Sequence, residues 1–178
     1  EAAYVARIEP RGEYLAFPEY DLGIQCRVME MLAANSDIPV PEIVAKELTG
    51  QVLGQPFYIM KKTDGVIPPD MPPYHMDGWL TEEAPDTRRQ LWLAGLKRLA
   101  QVNTLDISSP AIQSALNACA IPRSLDEQLT YWENYYQWGY QRNGERLPHD
   151  VAASTLQWLR DHQPKEQAVA LCWGDSRM

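Results

Sequence analysis

No stretch of about eighteen apolar residues occurs in the chain, so no membrane-spanning helix is expected. Cysteine is scarce: Cys26, Cys119 and Cys172 are widely spaced, odd in number, and match no metal-ligand spacing with the three histidines. They are read as buried thiols in a reducing compartment. Positive charge is in deficit, with 16 Lys and Arg against 24 Asp and Glu, a formal net charge of -8. Binding to a phosphate backbone depends on clustered Lys and Arg, so neither nucleic acid nor an anionic membrane is an expected partner. A cationic or neutral small molecule is easier to accommodate. The first residues lack the basic-then-apolar layout of a secretory signal, and the expected location is the cytoplasm. Internal repeats and low-complexity tracts are also missing.

What is present suits a globular chain. The 178 residues are 45% hydrophobic and 22% charged, enough to bury a core as one domain or as two small lobes. Residues 1–8 read as a strand already under way, and residues 168–178 as an apolar strand emptying into a polar turn, so the chain is expected to continue on both sides.

Tyr4, Ala6 and Ile8 alternate with Val5 and Arg7, the pattern of a strand. After Pro10, Gly12 and Pro18 comes a helix over 20–34, with Ile24, Val28, Met31 and Leu32 on one buried face. Asn35, Ser36 and Asp37 end it. Two strands follow, 42–48 and 56–60, joined by a short link with Gly50 and Gly54. Pro68, Pro69, Pro72 and Pro73 then forbid helix or central strand and read as a stiff linker at a lobe boundary. Beyond it the chain turns helical. The stripe Trp92, Leu96, Leu99 and Asn103 marks a helix over 86–103, with Leu91 and Val102 beside it. Ser124 and Glu127 form a capping box that opens a second, with Leu125, Leu129, Trp132 and Tyr136 on one side. A third runs over 150–161, with Val151, Thr155 and Trp158 inward and Pro164 after its end. The aromatic run from Tyr131 to Tyr140 reads as packing, with ligand stacking as the other possibility. The expected class is α+β, a small antiparallel sheet with one helix followed by a mainly helical part.

Three places could carry chemistry. Asp175, in the turn Trp173-Gly174-Asp175 after an apolar strand, has the placement a general base needs, although such an aspartate also serves simply to cap its turn. Arg7 lies in a strand followed by a helix carrying Gln25, the layout in which a strand cation meets nucleotide phosphates and is held by a helix side chain; a solvent-facing edge arginine has the same spacing. Residues 57–62, ahead of the proline-rich link, suit a hinge offering backbone groups to a base, or an ordinary hairpin strand.

The segments Tyr4-Val5-Ala6-Arg7, Ile24-Gln25-Cys26-Arg27-Val28-Met29, Ile38-Pro39-Val40-Pro41, Leu53-Gly54-Gln55-Pro56-Phe57-Tyr58-Ile59-Met60, Val66-Ile67-Pro68-Pro69-Asp70 and Cys172-Trp173-Gly174-Asp175-Ser176-Arg177 together resemble the aminoglycoside phosphotransferase and choline kinase superfamily, closely its branch related to kinase-like domains fused to acyl-CoA dehydrogenases. The resemblance implies a partial, protein-kinase-like two-lobed fold. Residues 1–63 would be the remnant of an N-terminal nucleotide-binding lobe, and 64–178 the first part of a helical C-terminal lobe ending inside the catalytic loop. It also implies transfer of the γ-phosphoryl group of ATP to a hydroxyl of a small molecule. Asp175 would orient or deprotonate that hydroxyl and Arg177 neutralise nearby charge. Arg7 would stand at the place of the phosphate-contacting lysine, Gln25 at that of the helix glutamate, and Met60 and Lys61 beside adenine.

The sequence departs from the family pattern at three positions. Trp173 replaces a histidine brace, Arg7 changes the geometry of the cation, and Gln25 turns an ion pair into a neutral hydrogen bond. The Mg²⁺ ligands are expected beyond Met178 and the glycine-rich phosphate loop before Glu1, so the chain by itself is expected to lack kinase activity. A non-catalytic kinase-like domain that binds nucleotide or ligand is the alternative, and a helical interaction scaffold the third reading. Hydroxyacyl-CoA, aminoglycoside, choline-like amine and sugar acceptors all stay open, and the sequence assigns no oligomeric state.

Overall fold

The computed structural model describes residues 2–13, 15–143, 149–165 and 168–176. Its sheet has three strands, β1 (Tyr4–Ile8), β2 (Ile43–Glu47) and β3 (Phe57–Lys61), in the order β1-β3-β2 with both pairings antiparallel. The register between β2 and β3 slips between Ile43 and Ala45, which leaves Val44 as an extra residue. Ile43 and Lys46 are three apart and would face opposite ways in a regular strand; the bulge lets both face the same side. That side is covered by α1 (Leu22–Asn35).

Local chemistry defines α1 well. Asp21 Oδ1 accepts the N–H of Ile24 at 3.0 Å, and at the other end the Ser36 N–H and hydroxyl both donate to Leu32 O. Of the expected face, Val28, Met31 and Leu32 are covered, in a cluster with Ile38, Val102 and Ile112, while Ile24 is half-buried and outside that cluster. A second face is covered too: Leu22 and Cys26 pack with Tyr58, flanked by Met29, Ile43 and Met60. The helix is therefore shared by the sheet and the helical part.

That helical part comprises α2 (Trp79–Glu82), α3 (Pro85–Asn103), α4 (Pro110–Asn117), α5 (Leu125–Asn143) and α6 (His149–Asp161), giving the expected α+β class. The C-terminal end of α4 collects two cations. Arg27, from α1, donates to Ala118 O, and Arg123 donates to Leu116 O at 2.7 Å. Carbonyls at a helix C-terminus carry partial negative charge, so both contacts are favourable. Helix α5 reaches back to the loop before α1: Tyr135 donates its hydroxyl to Ala16 O at 2.8 Å, its ring meets Phe17, and Arg142 donates to Glu13 O. Arg160 of α6 bridges Asp126 and Glu133 of α5 at 2.8 and 2.7 Å, whereas Val151, Thr155 and Trp158, expected to face inward, are exposed.

The strand expected at 168–172 does not form. A strand needs a ladder partner, and all three described strands lie in the sheet, whereas Leu171 packs into the cluster of α1, α3 and α4. Among the described residues, no helix is long and apolar enough to cross a membrane.

Two outcomes follow from this packing. Ile112 is 3% exposed, so Ile112→Ala should cost about 2–5 kcal/mol in urea unfolding, while Val44→Ala, at a site 47% exposed, should stay within about 0.5 kcal/mol. Glu47 accepts hydrogen bonds from the Thr49 hydroxyl, then from the N–H groups of Thr49 and Val52, which hold its carboxyl below the ordinary glutamate range. A depressed folded-state value means stability that is present above the unfolded value and lost as pH falls through the folded one. NMR titration of Glu47 should show the low inflection, and Thr49→Val should move it back up.

Candidate active site

Asp175 is held by a short chain of causes. Leu171 anchors the segment in the core, and Gly174 takes a φ of +73°, a left-handed conformation that favours glycine. The Ser176 N–H then donates to Gly174 O at 2.9 Å, closing a three-residue turn with Asp175 at its centre. No described non-glycine residue has a positive φ, so this is the relaxed, inverse form of the turn. The carboxylate stands exposed at its tip. Arg177 lies outside the described residues.

Trp173 and Ser176, on either side of Asp175, form one wall of a cavity of about 670 Å³. Trp92, Leu96 and Leu99 of α3 form another, and the proline-rich segment supplies Asp70, Tyr74 and His75. The amphipathic stripe of α3 therefore does two jobs along its length. Val102 at its end is 4% exposed and in the core, whereas Trp92 and Leu96, 50% and 45% exposed, face the cavity. Charge is sparse among the walls: Asp70, and Arg98, whose guanidinium donates to Gln101 Oε1 at 2.8 Å. The cavity can hold a largely apolar molecule close to the turn that carries a carboxylate.

The other candidates lie on the sheet and α1. Arg7 pairs in register with Tyr58, on the sheet face that α1 covers. Gln25 of α1 accepts the Tyr58 hydroxyl at 3.2 Å. Arg7, Tyr58 and Gln25 thus form one group across two strands and a helix. Met60 faces the same side and packs against Leu22, Cys26 and Tyr58. Lys61 points to the opposite face, where Glu42 pairs with it at 2.5 Å and, by that hydrogen bond first and its charge second, raises the Lys61 pKa. Arg7 is not among the cavity walls beside Asp175.

Among the described residues, no group of three or more His, Cys, Asp or Glu side chains could hold a metal ion. Sequence reasoning missed Tyr58, whose contact with Gln25 spans 33 positions and leaves no local signal. It also took the proline-rich segment as a linker only. A signal was there, since Tyr74 and His75 sit among its prolines with the polar-plus-aromatic make-up of a binding wall.

With this geometry in place, likeness to known proteins can be weighed. The model of the phosphotransferase enzyme family matches residues 1–177. The chain is 26% identical over 175 residues to acyl-CoA dehydrogenase family member 10 of Mus musculus, covering 98% of this chain and 15% of that protein. It is 25% identical over 182 residues to the probable acyl-CoA dehydrogenase IBR3 of Arabidopsis thaliana, covering 98% and 20%. The chain spans a fifth or less of the length of these relatives. The chain belongs to the phosphotransferase enzyme family, and its sheet and helices are consistent with part of a kinase-like fold.

The turn can be tested directly. A Cβ at position 174 would meet nothing within 4 Å, so only the backbone opposes it. Gly174→Ala should cost about 1 kcal/mol in urea unfolding, and its NMR shift changes should be confined to residues 171–176.

Proposed function

We propose that this member of the phosphotransferase enzyme family transfers the γ-phosphoryl group of ATP to a hydroxyl of a small molecule lodged in the cavity between α3, the proline-rich segment and the turn at Asp175. The observation that carries this reading is that Trp173 and Ser176, which flank Asp175 in its turn, are walls of that cavity. An acceptor seated there lies beside the turn that carries the carboxylate. Its oxygen attacks the γ-phosphorus, the bond to the β–γ bridging oxygen breaks with ADP leaving, and Asp175 takes the hydroxyl proton. Fixing the acceptor against α3 is the entropic part of the work, since it turns an encounter in solution into a reaction within one complex.

On the sheet, Arg7 supplies the cation for the nucleotide phosphates, with Met60 and Lys61 on the strand beside the base. Arg177 is assigned to charge near the acceptor. With the Mg²⁺ ligands expected beyond Met178, the steps assigned to these residues are binding, orientation and proton removal. The mainly apolar walls favour an acceptor with an apolar body over a polycation. Residues 1–63 serve the nucleotide and 64–178 the acceptor, with α1 as the element common to both. Cys26 and Cys119 are buried thiols as expected, whereas Cys172, expected buried, is exposed; all three being free accords with a cytoplasmic setting.

One observation favours a second reading, a domain that binds nucleotide without turnover. Trp173, at the place where the family has a histidine brace, is a cavity wall 52% exposed. Measuring MgATP consumption by the full-length protein against a panel of hydroxylated metabolites separates the two. The expected result is acceptor-dependent ADP release, with Asp175→Asn lowering kcat by about 10²- to 10⁴-fold while the melting temperature holds. MgATP binding with no turnover on any acceptor would favour the second reading.

A further inference from the structure

Tyr58 is the most deeply buried aromatic of the sheet, 2% exposed, with its ring between Leu22 and Cys26 of α1 and its hydroxyl 3.2 Å from Gln25 Oε1. On its own sheet it is the register partner of Arg7. One side chain therefore touches the helix residue and neighbours the strand cation that the proposed nucleotide site requires. We infer that Tyr58 is a positioning residue for nucleotide binding, setting α1 against β1 and β3 through its hydroxyl so that Gln25 and Arg7 keep a fixed relation to the phosphates. This inference rests on the phosphotransferase reading given above.

Three features support the assignment. Burial pushes the Tyr58 phenol up, with the Arg7 charge pulling the other way, so the hydroxyl remains a proton donor at neutral pH. Gln25, unlike a glutamate, has no charge to pair with Arg7, and the hydroxyl offers its side chain a neutral partner in the same seam. The other polar tie between α1 and the sheet, Lys46 to Glu30 at 2.7 Å, is 44% exposed on both sides, where solvent and salt weaken it. The part-buried Tyr58–Gln25 bond is therefore better placed to hold an angle.

The test uses the full-length protein and MgATP. Tyr58→Phe keeps the ring and removes only the hydroxyl. A neutral hydrogen bond is worth up to about tenfold, so KM for ATP should rise about three- to tenfold, with kcat within about twofold and acceptor KM unchanged. Adding Gln25→Ala to Tyr58→Phe should give no further rise beyond the larger single effect. Lys46→Ala, on the exposed part of the same seam, should leave KM for ATP within about twofold. Faster amide exchange at residues 24–28 in Tyr58→Phe should report the loosened helix without reference to nucleotide. A wild-type protein that turns over ATP, with unchanged KM and exchange in Tyr58→Phe, overturns this inference alone. Wild type without any MgATP binding overturns the phosphotransferase reading, and this inference with it.

Discussion

A single fourteen-residue helix, buried on two faces at once, is the constraint on which the rest of this structure depends. Leu22, Gln25, Cys26 and Met29 recur at i, i+3, i+4 and i+7 and meet the sheet, while Val28, Met31 and Leu32 meet the helices. A helix is stiff over this length, about 21 Å, so a shift of its position at one face must appear at the other. Arg27 extends the same logic electrostatically. It carries the helix's charge to the carbonyl end of α4, the element whose Ile112 completes the second cluster. Leu171 packs against that cluster as well, so the turn bearing Asp175 and the sheet bearing Arg7 are referenced to one rod rather than to each other.

The apolar surface left uncovered is organised by the same packing. Once Val102 is drawn into the shared cluster, the outer turns of α3 have no helix against them, and Trp92 and Leu96 remain open. The proline-rich segment cannot cover them with regular structure, because prolines supply no N–H for a ladder and break a helix. Its turns instead stand across from α3, with the Trp173 turn closing a third side. A cavity results because three elements that cannot interdigitate enclose a stripe that favours burial. Exposed apolar surface gathered in a concavity is what a small-molecule site requires, in contrast to single exposed residues such as Ile67, which carry no such meaning.

Elements with a strong local period were legible in the sequence. The strand at Tyr4–Ile8 and the helices at Leu22–Asn35 and Pro85–Asn103 appear within two residues of their expected bounds, because alternation, caps and stripe each specify them locally. What the period cannot say is what covers a face. The α3 stripe was visible as a stripe, yet nothing in its spacing tells core from cavity wall. The second buried face of α1 was hidden for a related reason, since Cys26 and Gln25 do not read as apolar anchors. Helix α4 was missed although Ser109 and Pro110 are a helix start; only Ile112 is buried in its eight residues, too little for a period. The strand expected at 168–172 had the right residue types, but pairing is a tertiary property. Asp175 was legible as a residue at a turn, whereas its neighbours' role as cavity walls came only with the fold.

The sheet side of the molecule also shows how a helix can be held to a sheet by a neutral contact. A lysine–glutamate pair draws on attraction that salt and water weaken at a surface, and its geometry is loose because both side chains are long. Here the helix partner is neutral, the strand cation is a guanidinium, and the helix is tied to the sheet by a phenol that is itself part of the hydrophobic cluster. Its ring cannot turn without disturbing Leu22 and Cys26, so the hydroxyl has little freedom to leave Gln25. A charged tie is present in the exposed Lys46–Glu30 pair, which the Val44 bulge makes possible by turning Lys46 toward α1. Orientation of the helix is thereby set by packing and a part-buried neutral bond rather than by net charge.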